Sequence, residues 1–174
     1  LEAGPKDSYP WIHVPIGYAK TMQHDEYNWR FYTDPEPELG NRQIYQPRGR
    51  TLGGSSSING LIYIRGQQRD YDEWASLGNA GWSWADCLPY FRKLETNDLG
   101  ASQTRGDAGP MHATSVPAGN ELVDAFIAAS QQLGVRRVDD FNTGDQEGVG
   151  YFQLTTRNGL RCSTAAGYLK PAMS

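Results

Sequence analysis

The run Arg48-Gly49-Arg50-Thr51-Leu52-Gly53-Gly54-Ser55-Ser56-Ser57-Ile58-Asn59-Gly60 constrains this chain more than any other segment. Adjacent glycines at 53 and 54 let the backbone reach positive φ and approach a neighbour closely. Three hydroxyls and an amide follow, and the chain then turns apolar at Leu61, Ile62, Tyr63 and Ile64. Such a stretch offers backbone N–H groups and short polar side chains to an anionic or heteroaromatic ligand. A flexible Gly/Ser linker is the competing reading, but linkers seldom run straight into an apolar segment.

The chain has 174 residues, enough for one ordinary domain with a sizeable core. A net charge of −4 gives no electrostatic case for nucleic acid. No apolar run approaches membrane-spanning length. Cys87 and Cys162 are far apart and match no metal spacing, so a reduced compartment is the simpler expectation. His13, His24 and His112 fall in no metal or triad pattern, and no metal site is expected.

Local signals place the elements. Residues 5–47 read as an extended excursion with short helical turns, packed down by Trp11, Trp29, Phe31 and Tyr32 and interrupted at Pro35-Glu36-Pro37. A short helix is expected from Asp70, with Glu73 at N3, and a second from Ser83, with Asp86 completing a capping box. Residues 96–119 read as a mobile loop leading into a strand near Met111–Thr114, with His112 on an edge. Its Arg105-Gly106-Asp107 matches an adhesion tripeptide that arises easily by chance. The clearest helix runs from Glu121 to Leu133, capped by Asn120, with Leu122, Phe126, Ala129 and Leu133 on one face as core. Tyr151–Thr156 reads as a strand, Asn158-Gly159 as a tight hairpin turn, and Ser163 or Thr164 as the cap of a last helix stopped by Pro171. Leu1-Glu2-Ala3-Gly4 looks like the end of a buried strand and its turn.

Taken together, these motifs resemble the glucose–methanol–choline (GMC) oxidoreductases, which are FAD enzymes. The likeness rests on Gly49-Arg50-Thr51-Leu52-Gly53-Gly54-Ser55-Ser56-Ser57-Ile58-Asn59, then Tyr63-Ile64-Arg65-Gly66 and Asp70-Tyr71-Asp72-Glu73-Trp74. It continues through Leu88-Pro89-Tyr90-Phe91-Arg92-Lys93-Leu94-Glu95, Glu147-Gly148-Val149-Gly150 and Arg161-Cys162-Ser163-Thr164-Ala165. It is strongest to the choline and alcohol dehydrogenase branch.

The resemblance implies an α/β fold: part of a Rossmann-like FAD-binding domain and part of an α+β substrate-binding domain. It implies FAD-domain segments over 1–85 and 157–174, with a substrate-domain segment over 86–156. Glu2 matches the acidic residue that bonds the adenosine ribose, and the Gly-x-Gly-x-x-Gly loop would lie roughly 20 residues earlier. The chain is therefore expected to be an internal fragment. Gly53, Gly54 and Ser55 are the leading cofactor contacts, then Asn59 and Gly60, with backbone contacts at Leu61 and Ile62 and Arg50 near the phosphates or in a surface ion pair. Ile58 stands where some members tether FAD through histidine, so FAD is expected to be non-covalent. The implied reaction is hydride transfer from an alcohol, choline or a primary alcohol, to flavin N5, with oxygen or a quinone-type acceptor downstream. The catalytic base is expected C-terminal to this chain, so no residue here is a catalytic candidate. A lyase or photodecarboxylase of the same family, or a non-catalytic module reusing the fold, are the alternatives. A cytoplasmic location is expected, with membrane association of the full-length protein left open.

Overall fold

Short elements dominate the computed structural model, which describes residues 1–117 and 119–173. In chain order the helices are α1 (Pro10–His13), α2 (Tyr18–Thr21), α3 (Gln68–Ser76), α4 (Trp84–Leu94), α5 (Glu121–Gln132) and α6 (Lys170–Ala172). The strands are β1 (Phe31–Tyr32), β2 (Tyr45–Gln46), β3 (Ile62–Tyr63), β4 (Glu95–Asn97), β5 (Met111–Ser115), β6 (Gln153–Leu154), β7 (Thr156–Arg157) and β8 (Leu160–Arg161). They form two compact units, Leu1–Leu61 with Thr156–Ser174, and Ile62–Thr155. The division falls at 61/62, where β3 begins; in the second unit β3 pairs with β6 and α3 packs on α4.

In the first unit α1 buries Ile12, and Tyr27 joins it in the core. The aromatics expected to hold this excursion down do so only partly. Trp29, Phe31 and Tyr32 stay about half exposed; Trp29 stacks on Phe31 with ring centroids 5.9 Å apart. β1 and β2 form an antiparallel ribbon, as do β7 and β8. The second hairpin turns at Asn158 (φ 51°) and Gly159 (φ 76°), the left-handed pair that a two-residue turn requires. Ser163 then accepts from the Ala166 N–H, and a π-helical turn at Ala165–Leu169 continues into α6. Pro171 lies inside α6 rather than after it, since a first-turn proline forfeits no intrahelical bond. Lys170 pairs with buried Asp7 at 2.7 Å. Leu1-Glu2-Ala3-Gly4 forms no strand.

The second unit is built on a four-stranded sheet in the order β3-β6-β5-β4, antiparallel except for β5 with β4. His112 therefore sits on an internal strand, not an edge. The cap of α3 lies three residues before the expected Asp70. Gln67 is the N-cap, and Asp70 at N3 accepts its N–H at 2.7 Å. Ser83 and Asp86 form the expected capping box on α4, which carries Pro89 inside it. Tyr71 of α3 packs against Phe91 and Trp84 of α4, with centroids at 5.5 and 5.6 Å. Asn120 caps α5 as expected, but the face named as core is solvent-facing. Leu122, Phe126 and Leu133 are 84, 66 and 85% exposed, and Ile127 is the buried contact. Periodicity identifies an apolar face; it does not say what lies against it.

Residues 98–110 cross from β4 to the parallel β5, and they are anchored rather than mobile. Arg105 is 1% exposed and donates from Nε to Glu95 at 2.8 Å and from Nη2 to Gln153 at 2.7 Å. It also holds Asp140 through Nη1 at 2.5 Å. Arg65 donates to the other oxygen of Glu95 at 2.6 Å and to the Thr104 carbonyl at 2.6 Å. The crossover passes so close to α4 that a Cβ on Gly106 would lie 2.0 Å from the Arg92 carbonyl oxygen. A buried Arg105 beside such a glycine cannot serve as an adhesion tripeptide.

Candidate functional site

The glycine run folds as one tight turn in the first unit. Fully buried Thr51 donates to the Pro5 carbonyl at 2.9 Å, which fixes its start. Gly53 (φ 88°) and Gly54 (φ 55°) take left-handed conformations and launch a 3₁₀ turn over Gly54–Ser57. At Gly53 a Cβ would meet the Ser57 hydroxyl at 2.4 Å, whereas at Gly54 it would meet nothing within 4 Å. Gly53 is thus packed from beneath and Gly54 opens outward. The N–H groups of Gly53 and Ser55 meet no acceptor among the described residues.

The three serines divide their tasks. Ser57 turns inward to the Leu52 carbonyl at 2.8 Å. Ser56 donates to the Gly53 carbonyl at 2.6 Å and accepts from the Thr164 N–H at 2.9 Å. Ser55 is exposed, and its hydroxyl accepts from the Gly49 N–H at 3.0 Å, leaving its proton for a ligand. Glu2 accepts from the Gly4 N–H at 2.8 Å, and Gly4 lies so near the turn that a Cβ there would meet the Arg50 carbonyl oxygen at 1.9 Å. Arg50 donates to the Glu26 carbonyl at 3.2 Å and lies 5.4 Å over the Trp29 ring, so its head is held locally. Asn59 and Gly60 are exposed, and Leu61 is buried at positive φ (65°). Of the nine candidates, eight lie in this unit; Ile62, about half exposed, opens β3 of the other.

Local sequence signals do not single out Arg161. It is 4% exposed and lies against the back of the turn. It donates to the carbonyls of Ile12 (2.7 Å), Ser56 (3.1 Å) and Asn59 (2.8 Å), and to Asn59 Oδ1 (2.7 Å). Burial pushes its pKa down to about 10. The Arg161-to-Thr164 motif carried the signal, but a partnership across some hundred residues has no local periodicity to betray it. No group of three or more metal-ligating side chains occurs among the described residues. No helix there is long and apolar enough to cross a membrane.

The family description "GMC oxidoreductase" matches residues 16–174. The chain belongs to the GMC oxidoreductase family. It is 46% identical to the oxygen-dependent choline dehydrogenase of Sinorhizobium fredii, over 99% of this chain and 32% of that protein. Among solved structures it is similar to pyridoxine 4-oxidase from Mesorbium loti, with a TM-score of 0.91 and 32% identity over 98% of this chain and 34% of that one. An FAD-dependent oxidoreductase from Chaetomium thermophilum gives a TM-score of 0.86 and 28% identity over 99% of this chain and 32% of that one. The chain thus spans about a third of the length of the curated relatives it matches.

Proposed function

We propose that the protein containing this chain is an FAD-dependent oxidoreductase that oxidises the CH–OH group of a small alcohol, choline or a primary alcohol, and passes electrons to oxygen or a quinone-type acceptor. The observation that carries this reading is the Gly53-Gly54 turn, in which the Gly53 and Ser55 N–H groups meet no acceptor among the described residues and Gly54 has open space beyond its Cα. Donors in that arrangement suit the oxygens and ring acceptors of a dinucleotide cofactor. The kinship with choline dehydrogenases supports the alcohol.

When bound, FAD supplies the acceptor for a carbinol hydride. This chain's part is to bind and orient. Gly53 and Ser55 donate backbone N–H groups, Ser55 adds a hydroxyl, and Asn59 and Gly60 stand at the exposed exit of the turn. Glu2 keeps one carboxylate oxygen on the Gly4 N–H and offers the other to the ribose hydroxyls. Ile58 is buried and aliphatic and cannot tether FAD, which supports a non-covalent cofactor unless a tether forms elsewhere. The first unit carries the cofactor bed, the second belongs to the substrate domain, and the general base comes from outside this chain. Cys87 and Cys162 form no disulfide among the described residues, which supports a reducing, cytoplasmic setting.

The test is to express the full reading frame, record the visible flavin spectrum and add choline or a primary alcohol without oxygen. Bleaching of the flavin band is expected. Absence of bound flavin would overturn the reading, and flavin that neither alcohol reduces would overturn its substrate.

A further inference from the structure

We infer that Arg161 is a positioning residue that fixes the Asn59 side-chain amide with its NH₂ donors outward, so that residue 59 serves the cofactor as a hydrogen-bond donor. The inference rests on the FAD reading above. Asn59 Oδ1 accepts two bonds at once, from the Leu61 N–H at 3.1 Å and from Arg161 Nη1 at 2.7 Å. Both donors lie on the protein side and hold the amide oxygen inward. The Nδ2 group meets no acceptor among the described residues, and Asn59 is exposed. A flipped amide would set its NH₂ against an N–H and a guanidinium, donor against donor, and would be expelled.

Arg161 also donates to the Asn59 carbonyl at 2.8 Å, so the fork grips main chain and side chain of one residue together. Its bonds to Ser56 and Ile12 anchor that grip to the turn and to α1. No carboxylate lies within ion-pair distance of it among the described residues; every partner named is a neutral oxygen. Aspartate at 59 would accept the same two bonds and neutralise the buried charge, and asparagine differs from it by presenting donors instead of an oxygen on the outward side. The ligand chemistry that matches is an acceptor atom of FAD: a carbonyl oxygen, a ring nitrogen or a phosphate oxygen.

The experiment compares Asn59→Asp, Arg161→Lys and Arg161→Gln in the full-length protein, measuring thermal melting of the flavin-free form and the dissociation constant for added FAD. Asn59→Asp is expected to melt at or above the parent temperature and yet bind FAD about tenfold or more weakly, the loss of one well-made hydrogen bond. High salt screens charge repulsion, so the loss is expected to persist in it. Arg161→Lys, which keeps charge but not the fork, is expected to retain part of the affinity that Arg161→Gln loses. Parent-like affinity in Asn59→Asp, or a loss that salt abolishes, would overturn the inference. If the arginine variants do not fold, Asn59→Asp still decides it. A parent protein that binds no FAD would instead overturn the underlying reading.

Discussion

Glu95→Gln tests how the second unit is held together. The substitution keeps shape and removes one negative charge from between two guanidinium groups. Glu95 is fully buried, and the side chains of Arg65 and Arg105 are each 2% exposed. Arg105 would keep Asp140 at 2.5 Å, whereas Arg65 would lose its carboxylate and keep the Thr104 carbonyl, and its Nε meets no hydrogen-bond partner among the described residues. Leaving a buried charge without its counter-ion costs about 3–5 kcal/mol. Retention of Asp140 places the expectation near the lower end, about 3 kcal/mol. The exposed pair Arg137–Asp139, 54 and 85% accessible, is the control, and Asp139→Asn should cost under about 0.5 kcal/mol. Urea unfolding of the full-length protein, followed by tryptophan fluorescence, reads both through the midpoint at constant slope. Adding Arg65→Met to Glu95→Gln should recover part of the loss by removing the stranded cation. Acid gives a second readout. Burial alone would raise the Glu95 carboxyl, but bonds from Arg105 and Tyr63 and the charges of Arg65 and Arg105 outweigh it and hold the folded pKa low. The carboxylate therefore contributes its stability above the unfolded glutamate value of about 4.3 and loses it as pH falls through the lower folded value. The gap between wild type and Glu95→Gln should close in acid. A gap within about 0.5 kcal/mol at neutral pH, or one that widens in acid, would refute the argument.

Gly53→Ala should cost about 1–2 kcal/mol of stability for the left-handed conformation alone, and more for the 2.4 Å approach to the Ser57 hydroxyl. Gly54→Ala should cost less in melting temperature but weaken FAD binding, because its Cβ enters the open space; comparing both losses in the two variants separates support from contact. Tyr63 is pushed up to about 12 by burial, with Arg65 opposing and Glu95 reinforcing, so one tyrosine should ionise about two units above the free value in an ultraviolet titration. The folded state then holds a proton that the unfolded state releases, and stability should fall as pH rises from about 10 to 12; Tyr63→Phe should remove that slope. Thr164→Val removes a hydroxyl 3.0 Å from Ser56 Oγ and should cost about 1 kcal/mol, read in the same unfolding assay.

What could be read from the sequence was local. The Asn120 and Ser83 caps, the Asn158-Gly159 turn and β5 depend on residues a few positions apart, and each forms where expected. The glycine turn was visible for the same reason, because two left-handed positions in succession need Gly53-Gly54. What was missed spans distance. Gly, Ser and Thr dominate residues 96–119 and suggest mobility, yet Arg105 pins the 98–110 crossover to Glu95 and Gln153. Spacing shows that the α5 stripe is apolar but not whether it is buried, since exposure of Leu122 and Phe126 depends on what packs beside the helix. Nothing local in the Arg161-to-Thr164 motif marks the role of Arg161, because its acceptors belong to residues 12, 56 and 59.

The two units bury arginine in opposite ways, and the contrast separates stability from function. Arg105 is desolvated, but Glu95 and Asp140 hold its pKa above the ordinary value, so its charge is fully matched. Arg161 is desolvated, its partners among the described residues are neutral oxygens, and its pKa falls. Matching a buried cation with a carboxylate is the ordinary way to limit its desolvation cost. At residue 59 that remedy is one atom away, yet the chain carries asparagine and leaves the cost standing. A cluster built for stability alone has no use for that choice, whereas a turn that must present donors to a ligand does. Charge removed at Glu95 should therefore lower stability, while charge added at residue 59 should preserve or raise it and lower affinity for FAD. If both substitutions move stability and affinity together, the two clusters serve one structural purpose, and the distinction drawn from their partners fails.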